Sequence, residues 1–305
     1  MESFTIHLGL PKTATTLLQQ YCFDLIGDKY DYLGVRQPRA SLQQPLFEAL
    51  ASALDYPEEK FLSNLTDIKR RLIDSSKDSA SRGSSILISE ECFLLDSAHT
   101  TWQQKVERLG VIFKNQNVHI LLTIRDPVSA VHSYYIEMYH KIKQRHKSLL
   151  SFALNDNRAE IFHYDELDRL IKKCFPNARI SIIPYELLKN NQLIPTVCAE
   201  LNVEPPEYRA LPNINAKHKS DRGTRTKNRS FTNFIRANKT VRRLTDISVI
   251  RLILRPFASS FSRIQIPFSS TNIQHPSDKD IRLLESRFSD AIALHQLYAE
   301  KYHAK

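Results

Sequence analysis

Ile6-His7-Leu8-Gly9-Leu10-Pro11-Lys12-Thr13-Ala14-Thr15-Thr16-Leu17 decides the architecture of this chain. Residues 4–8 are an apolar run long enough for a buried strand. Gly9 and Pro11 break that strand. Lys12 and three threonines follow, and the apolar spacing then becomes that of a helix through Leu17, Leu18 and Tyr21. The spacing predicts a helix over residues 13–26. A strand, a tight turn and a helix start, in that order, aim free backbone N–H groups and the positive end of a helix dipole at one spot. Lys12 adds a full charge there. Thr13, Thr15 and Thr16 add donors that suit the oxygens of an oxyanion. The plainer alternative is a strand–turn–helix corner that carries a surface lysine.

The chain has 305 residues, enough for one large α/β domain or two smaller ones. Its formal charge of +10 favours polyanionic partners, although a basic surface also serves solubility alone. Cys22, Cys92, Cys174 and Cys198 are widely spaced and form no C-x-x-C pair. They read as small buried apolar residues in a reducing compartment. No Cys/His cluster has zinc-ligand spacing, and no carboxylate set for Mg²⁺ stands out, so no metal is expected. The first residues lead directly into a strand without a basic and apolar leader, so a cytoplasmic protein without a signal peptide is expected. No run of about 18 apolar residues occurs, so no membrane span is expected.

Further strands are expected at residues 30–35, 86–88 and 118–124. Residues 37–78 show helical spacing, and the small polar stretch 75–85 reads as a loop. Ser89, Glu90 and Glu91 stand at the carboxyl end of the third strand, where ligands of open α/β sheets sit. A carboxylate there can take a proton from an acceptor hydroxyl, or it can simply start a helical turn.

The second informative stretch is Leu122-Thr123-Ile124-Arg125-Asp126-Pro127-Val128-Ser129-Ala130-Val131-His132-Ser133. Asp126 is a good N-cap and Pro127 suits the first helical position. Arg125 therefore stands at a strand end beside a helix start. Its planar fork matches a phosphate, and a helix serine can add a donor. The alternative is that Arg-Asp-Pro only starts a helix.

The first stretch lacks the G-x-x-x-x-G-K-[ST] signature of nucleoside triphosphatases. It instead resembles the 5′-phosphosulfate loop of the sulfotransferase superfamily, Pro-Lys-[Ser/Thr]-Gly-Thr-Thr, with Ala14 where that family has Gly. Arg125, followed eight residues on by Ser133, resembles the family's 3′-phosphate motif. A later strand ending in Pro184-Tyr185-Glu186-Leu187-Leu188 is similar to the family's strand followed by Tyr-Glu-x-Leu. The resemblance covers roughly residues 4–205 and is to bacterial sulfotransferase-like proteins. It implies a three-layer P-loop-like α/β fold with a central, mainly parallel five-stranded sheet flanked by helices. A helical C-terminal part would follow.

The resemblance also implies transfer of a sulfuryl group from 3′-phosphoadenosine 5′-phosphosulfate (PAPS) to a hydroxyl acceptor, a carbohydrate or polysaccharide first. Pro11, Lys12, Thr13, Ala14, Thr15 and Thr16 would bind the 5′ arm, and Arg125 and Ser133 the 3′-phosphate. Lys12 would assist the leaving oxygen. Glu90 would be the base, with His7 or His132 as the second choice. A P-loop-like small-molecule kinase and a non-catalytic nucleotide- or glycan-binding relative remain open.

Domain organisation is expected as a core over residues 1–212 and a basic helical extension over 213–305 packed on the same domain. Residues 217–243 hold ten Lys or Arg and one acid, Asp221. They suit closure over a nucleotide through Lys219 and Arg222, an acidic glycan or an anionic membrane surface. Nucleic acid is not expected, because aromatics are sparse there. Residues 138–147 read as a solvated basic face or the path of an anionic acceptor. Residues 278–303 show one apolar helix face through Ile281, Leu284, Phe288, Ala291, Leu294 and Tyr298, for docking on the body or for a dimer.

Overall fold

Five strands carry the apolar runs of the first two-thirds of the chain and lie side by side in parallel. The computed structural model describes residues 3–35, 44–207, 219–220, 223–228, 268–273 and 275–303. The chain divides into two units. Unit 1 comprises Met1–Val131, Asp156–Pro212 and Leu284–Lys305; unit 2 comprises His132–Asn155 and Asn213–Leu283.

In chain order the elements begin with β1 (Phe4–Leu8), α1 (Thr15–Leu18), β2 (Tyr30–Gly34), α2 (Pro45–Asp55) and α3 (Glu58–Ser81). Then come β3 (Ser85–Glu90), α4 (Trp102–Ile112), β4 (Val118–Ile124), α5 (Pro127–Ile142) and α6 (Leu149–Asn155). The next are α7 (Tyr164–Cys174), β5 (Arg179–Pro184) and α8 (Leu193–Glu200). The later elements are β6 (Lys219–Ser220), β7 (Gly223–Asn228), β8 (Phe268–Ile273), α9 (Asp278–Arg287) and α10 (Ser289–His303). No described helix is long and apolar enough to cross a membrane.

The sheet of unit 1 runs in the order β2-β3-β1-β4-β5, with every neighbouring pair parallel. It is an α/β fold with a five-stranded parallel sheet and flanking helices. Strands covered on both faces need apolar residues throughout. Every residue of β1, β3 and β4 is buried. The chain leaves β1 towards β2 and β3 on one side, then crosses to β4 and β5 on the other. The carboxyl ends of β1 and β4 therefore flank the point where the winding reverses, which is where open α/β sheets form ligand crevices.

Local expectations met tertiary structure in three places. The helix expected over residues 13–26 is a four-residue α1 followed by a π-helical turn, Gln19–Phe23. The loop expected at 75–85 is helical as far as Ser81. Asp31 of β2 explains this: it accepts from the hydroxyls of Ser79 and Ser84 and from the Arg82 guanidinium, drawing the last turn of α3 onto the sheet. Gly83, at φ 76°, then ends α3, with Ser84 N–H on the Ser79 carbonyl and Gly83 N–H on the Ala80 carbonyl. The last apolar helix face breaks at Phe288 into α9 and α10, and Leu284, Phe288 and Ala291 are buried.

Unit 2 contains α6 and an antiparallel sheet, β6-β7-β8, which the sequence reading did not foresee. Its aromatic residues Tyr134 and Tyr135 pack against Phe152, with ring centroids at 6.2 and 5.7 Å. Most of the basic segment 217–243, including Arg222, lies outside the described residues.

His7 sits inside the sheet with no exposed surface. Its Nδ1 is 2.8 Å from the Ser89 hydroxyl, and its ring meets Phe23 edge-on at 5.0 Å. Burial pulls its pKa from 6.5 down to about 3, so the imidazole is neutral. Between those values the unfolded chain holds a proton that the folded chain does not. Stability therefore falls as pH drops from 6.5 towards 3, by about 1.4 kcal/mol per pH unit for this group. His7→Gln should flatten that part of the stability–pH curve; denaturant titrations at pH 7, 5.5 and 4.5 measure it.

Candidate functional site

The turn after β1 is built around one carbonyl. Leu10, fully buried, accepts from the Thr13 hydroxyl at 2.8 Å and from the Thr15 hydroxyl at 3.1 Å. The Thr123 hydroxyl, near the end of β4, donates to Thr13 Oγ1 at 3.0 Å. Gly9 is required by contact: a Cβ there would lie 2.5 Å from Thr15 Cγ2. Lys12 and Ala14 both take left-handed backbone, φ 68° and 70°, on either side of Thr13. Such alternation turns successive N–H groups towards one concavity, a nest for an anion. Ala14 O then accepts from Leu18 N–H and starts α1.

The hydroxyls of Thr13 and Thr15 are thus engaged in shaping the turn, and what these residues can offer an anion is their backbone N–H. Pro11, Thr13 and Thr15 are buried, and Lys12, Ala14 and Thr16 are partly exposed along the same turn.

Leu8 pairs with Glu90 on one side and with Leu122 on the other. The Lys12 turn, Glu90 and Arg125 therefore leave neighbouring strands at the same edge of the sheet. The Thr123–Thr13 bond ties the turn to β4 two residues before Arg125.

Arg125 is partly exposed, and its guanidinium lies over the Tyr185 ring at 4.9 Å. Arg82, Arg108, Arg158 and Arg179 each reach a carboxylate in an ion pair. Among the described residues Arg125 reaches none. Asp126 caps α5 as its sequence predicts, accepting from Ser129 N–H at 2.7 Å. The boundary between the two units falls inside α5, and Ser133 belongs to unit 2.

Glu90 is 4% exposed. Its Oε1 accepts from Cys92 N–H at 2.9 Å and caps the 3₁₀ turn Glu91–Leu94. Behind it, the Gln19 amide reaches Ser89 Oγ at 3.2 Å, so His7, Ser89 and Gln19 form a polar cluster under the strand ends. Tyr164 is buried, and burial pushes its hydroxyl pKa up. His132 lies in unit 2, its ring 6.1 Å from that of His275.

Sequence reasoning gave Glu186 no role. Its Oε1 accepts from Asp126 N–H at 3.3 Å, and its Oε2 is 2.8 Å from His295 Nε2. Burial opposes ionisation of Glu186, but the hydrogen bond and charge of His295, with backbone donors, outweigh it and hold the carboxyl below its ordinary range. The signals in the sequence were its place just after β5 and in the Tyr-Glu-x-Leu stretch.

Solved sulfotransferases are among the chains to which this one is similar. A sulfotransferase from Alicyclobacillus acidocaldarius is 18% identical, with a TM-score of 0.43 over 86% of this chain and 98% of that one. The sulfotransferase domain of the Synechococcus PCC 7002 olefin synthase is 13% identical, with a TM-score of 0.36 over 94% of each chain. The sulfotransferase domain of the curacin biosynthetic pathway is also 13% identical, with a TM-score of 0.40 over 95% of this chain and 98% of that one. No protein-family model and no curated protein matches the chain.

A methyl group at φ 70° is strained, and glycine is not. Ala14→Gly should stabilise the fold by about 1 kcal/mol, read as a higher denaturant midpoint at unchanged slope. An unchanged or lower midpoint would mean that the turn does not carry this strain.

Proposed function

We propose that the chain is a sulfotransferase that moves the sulfuryl group of PAPS to a hydroxyl acceptor, with a carbohydrate or polysaccharide as the first candidate. One observation supports this reading above the others: the Thr123–Thr13 hydrogen bond joins the Lys12 nest to the strand that ends in Arg125. Two cationic sites at neighbouring strand ends suit a ligand with two anionic arms. The donor set fits it: backbone N–H groups and an ammonium at one end, a guanidinium without a carboxylate partner among the described residues at the other.

In this reading Lys12 and the N–H groups of residues 11–16 hold the 5′ arm. They stabilise charge that grows on the departing bridging oxygen more than they stabilise the ground state. Arg125 holds the 3′-phosphate, with Ser133 as a further donor, and so contributes positioning. The bound nucleotide supplies the activated sulfuryl group. Glu90 takes the acceptor's proton. Residues 1–212 form the core, residues 213–305 extend it, and the basic segment of the extension suits an acidic glycan. A cytoplasmic setting goes with this reading.

A second reading is a binding protein without transfer. The burial of Glu90 and its bond to Cys92 N–H favour that reading, because they give the carboxylate a structural task.

A labelled-sulfate transfer screen against glycans, lipids and phenols, with Lys12→Ala as the blank, tests transfer directly. Lys12→Ala should lower kcat by about 10²–10³-fold. Glu90→Gln should lower kcat by about 10²-fold and leave affinity for adenosine 3′,5′-bisphosphate unchanged. Full turnover in Glu90→Gln would remove Glu90 as the base. Tight nucleotide binding without transfer to any acceptor class would favour the binding protein.

A further inference from the structure

Arg125 is held by groups that follow a different strand. Tyr185 and Glu186 come directly after β5. Tyr185 lies under the Arg125 guanidinium at 4.9 Å, and Glu186 accepts the N–H of the next residue, Asp126, at 3.3 Å. Asp126 in turn spends its side chain on Ser129 N–H at the start of α5. Consecutive residues at the end of one strand thus grip consecutive residues at the end of its neighbour. The grip is anchored from far along the chain: Glu186 Oε2 meets His295 Nε2 at 2.8 Å, and His295, on α10, is 8% exposed.

The protons are assigned by chemistry. A Glu186 carboxylate held below its ordinary range has only acceptor oxygens. Asp126 N–H therefore donates to one oxygen, and His295 donates from Nε2 to the other. Tyr302, also on α10, donates to Glu200 Oε1 at 3.0 Å, so the helix that brings His295 is pinned a second time near its end. A loop whose N–H is fixed by a carboxylate that is itself fixed has little freedom to swing its arginine.

We infer that Glu186 and His295 are positioning residues for Arg125, so that α10 sets the affinity for the ligand's phosphate at that strand end. This rests on the assignment of Arg125 to the 3′-phosphate of the nucleotide. Neither residue touches the ligand; both act through the Arg125–Asp126 backbone. The effect is therefore specific to the 3′-phosphate, and the Lys12 end of the site does not share it.

Calorimetric titration of the full chain with adenosine 3′,5′-bisphosphate and, separately, with adenosine 5′-phosphate tests this. Glu186→Ala and His295→Ala should each weaken bisphosphate binding about tenfold and change 5′-phosphate binding less than about twofold. His295→Gln, whose amide can donate from a position close to that of Nε2, should restore most of the loss. Glu186→Gln keeps an acceptor for Asp126 N–H and should lie between wild type and Glu186→Ala, which covers the case of an alanine variant that does not fold. Wild-type bisphosphate affinity in both His295→Ala and Glu186→Gln overturns the inference, as does an equal loss for both nucleotides. Arg125→Ala separates the two levels. If it abolishes the preference for the bisphosphate while the Glu186 and His295 variants keep it, only the positioning role fails. If it too leaves the preference intact, the phosphate assignment fails and the inference with it.

Discussion

The Leu10 carbonyl holds the site together. Two threonine hydroxyls converge on it, and Thr123 reaches across from the neighbouring strand to lock one of them. That closure keeps two non-glycine residues, Lys12 and Ala14, in left-handed backbone. Each such residue costs on the order of 1–2 kcal/mol. The turn would relax if the bonds to Leu10 and Thr123 did not over-determine it. A concavity of N–H groups held this way needs little reorganisation when an anion arrives, which is the condition under which aligned dipoles contribute most.

The sheet supplies the second half of the arrangement. Because β1 lies between β3 and β4, its turn is flanked at the same edge by Glu90 and by the segment that carries Arg125. The elements are local, but the neighbourhood is not: 110 residues separate Thr13 from Thr123. The parallel register, set by strands buried on both faces, makes them adjacent.

Much of this could be read from the sequence because the physics involved is local. An apolar run broken by Gly9 and Pro11 and followed by Lys12 announces the turn, and Arg125-Asp126-Pro127 announces a strand end with a capped helix. The left-handed backbone at Ala14 was not legible, since alanine there argues for ordinary geometry. Neither was the engagement of the Thr13 and Thr15 hydroxyls with Leu10, because the sequence shows donors but not which acceptor claims them. The partnership of Glu186 with His295 spans 109 residues and leaves no periodic trace. The extra turn of α3 came from Asp31, a residue on another element, overriding small polar residues that favour loops on their own.

Charge gives the last step. Several described arginines of unit 1 are met by carboxylates: Arg82 by Asp31 and Asp78, Arg158 by Asp156, Arg179 by Glu200. At Arg125 the nearby acids are used differently. Asp126 spends its carboxylate on Ser129 N–H, and Glu186 spends its own on Asp126 N–H and His295. Both acids therefore fix the backbone around the arginine and leave its guanidinium on an aromatic face, where it stays a donor. A cation braced by acids that do not neutralise it is what the proposed 3′-phosphate role of Arg125 requires.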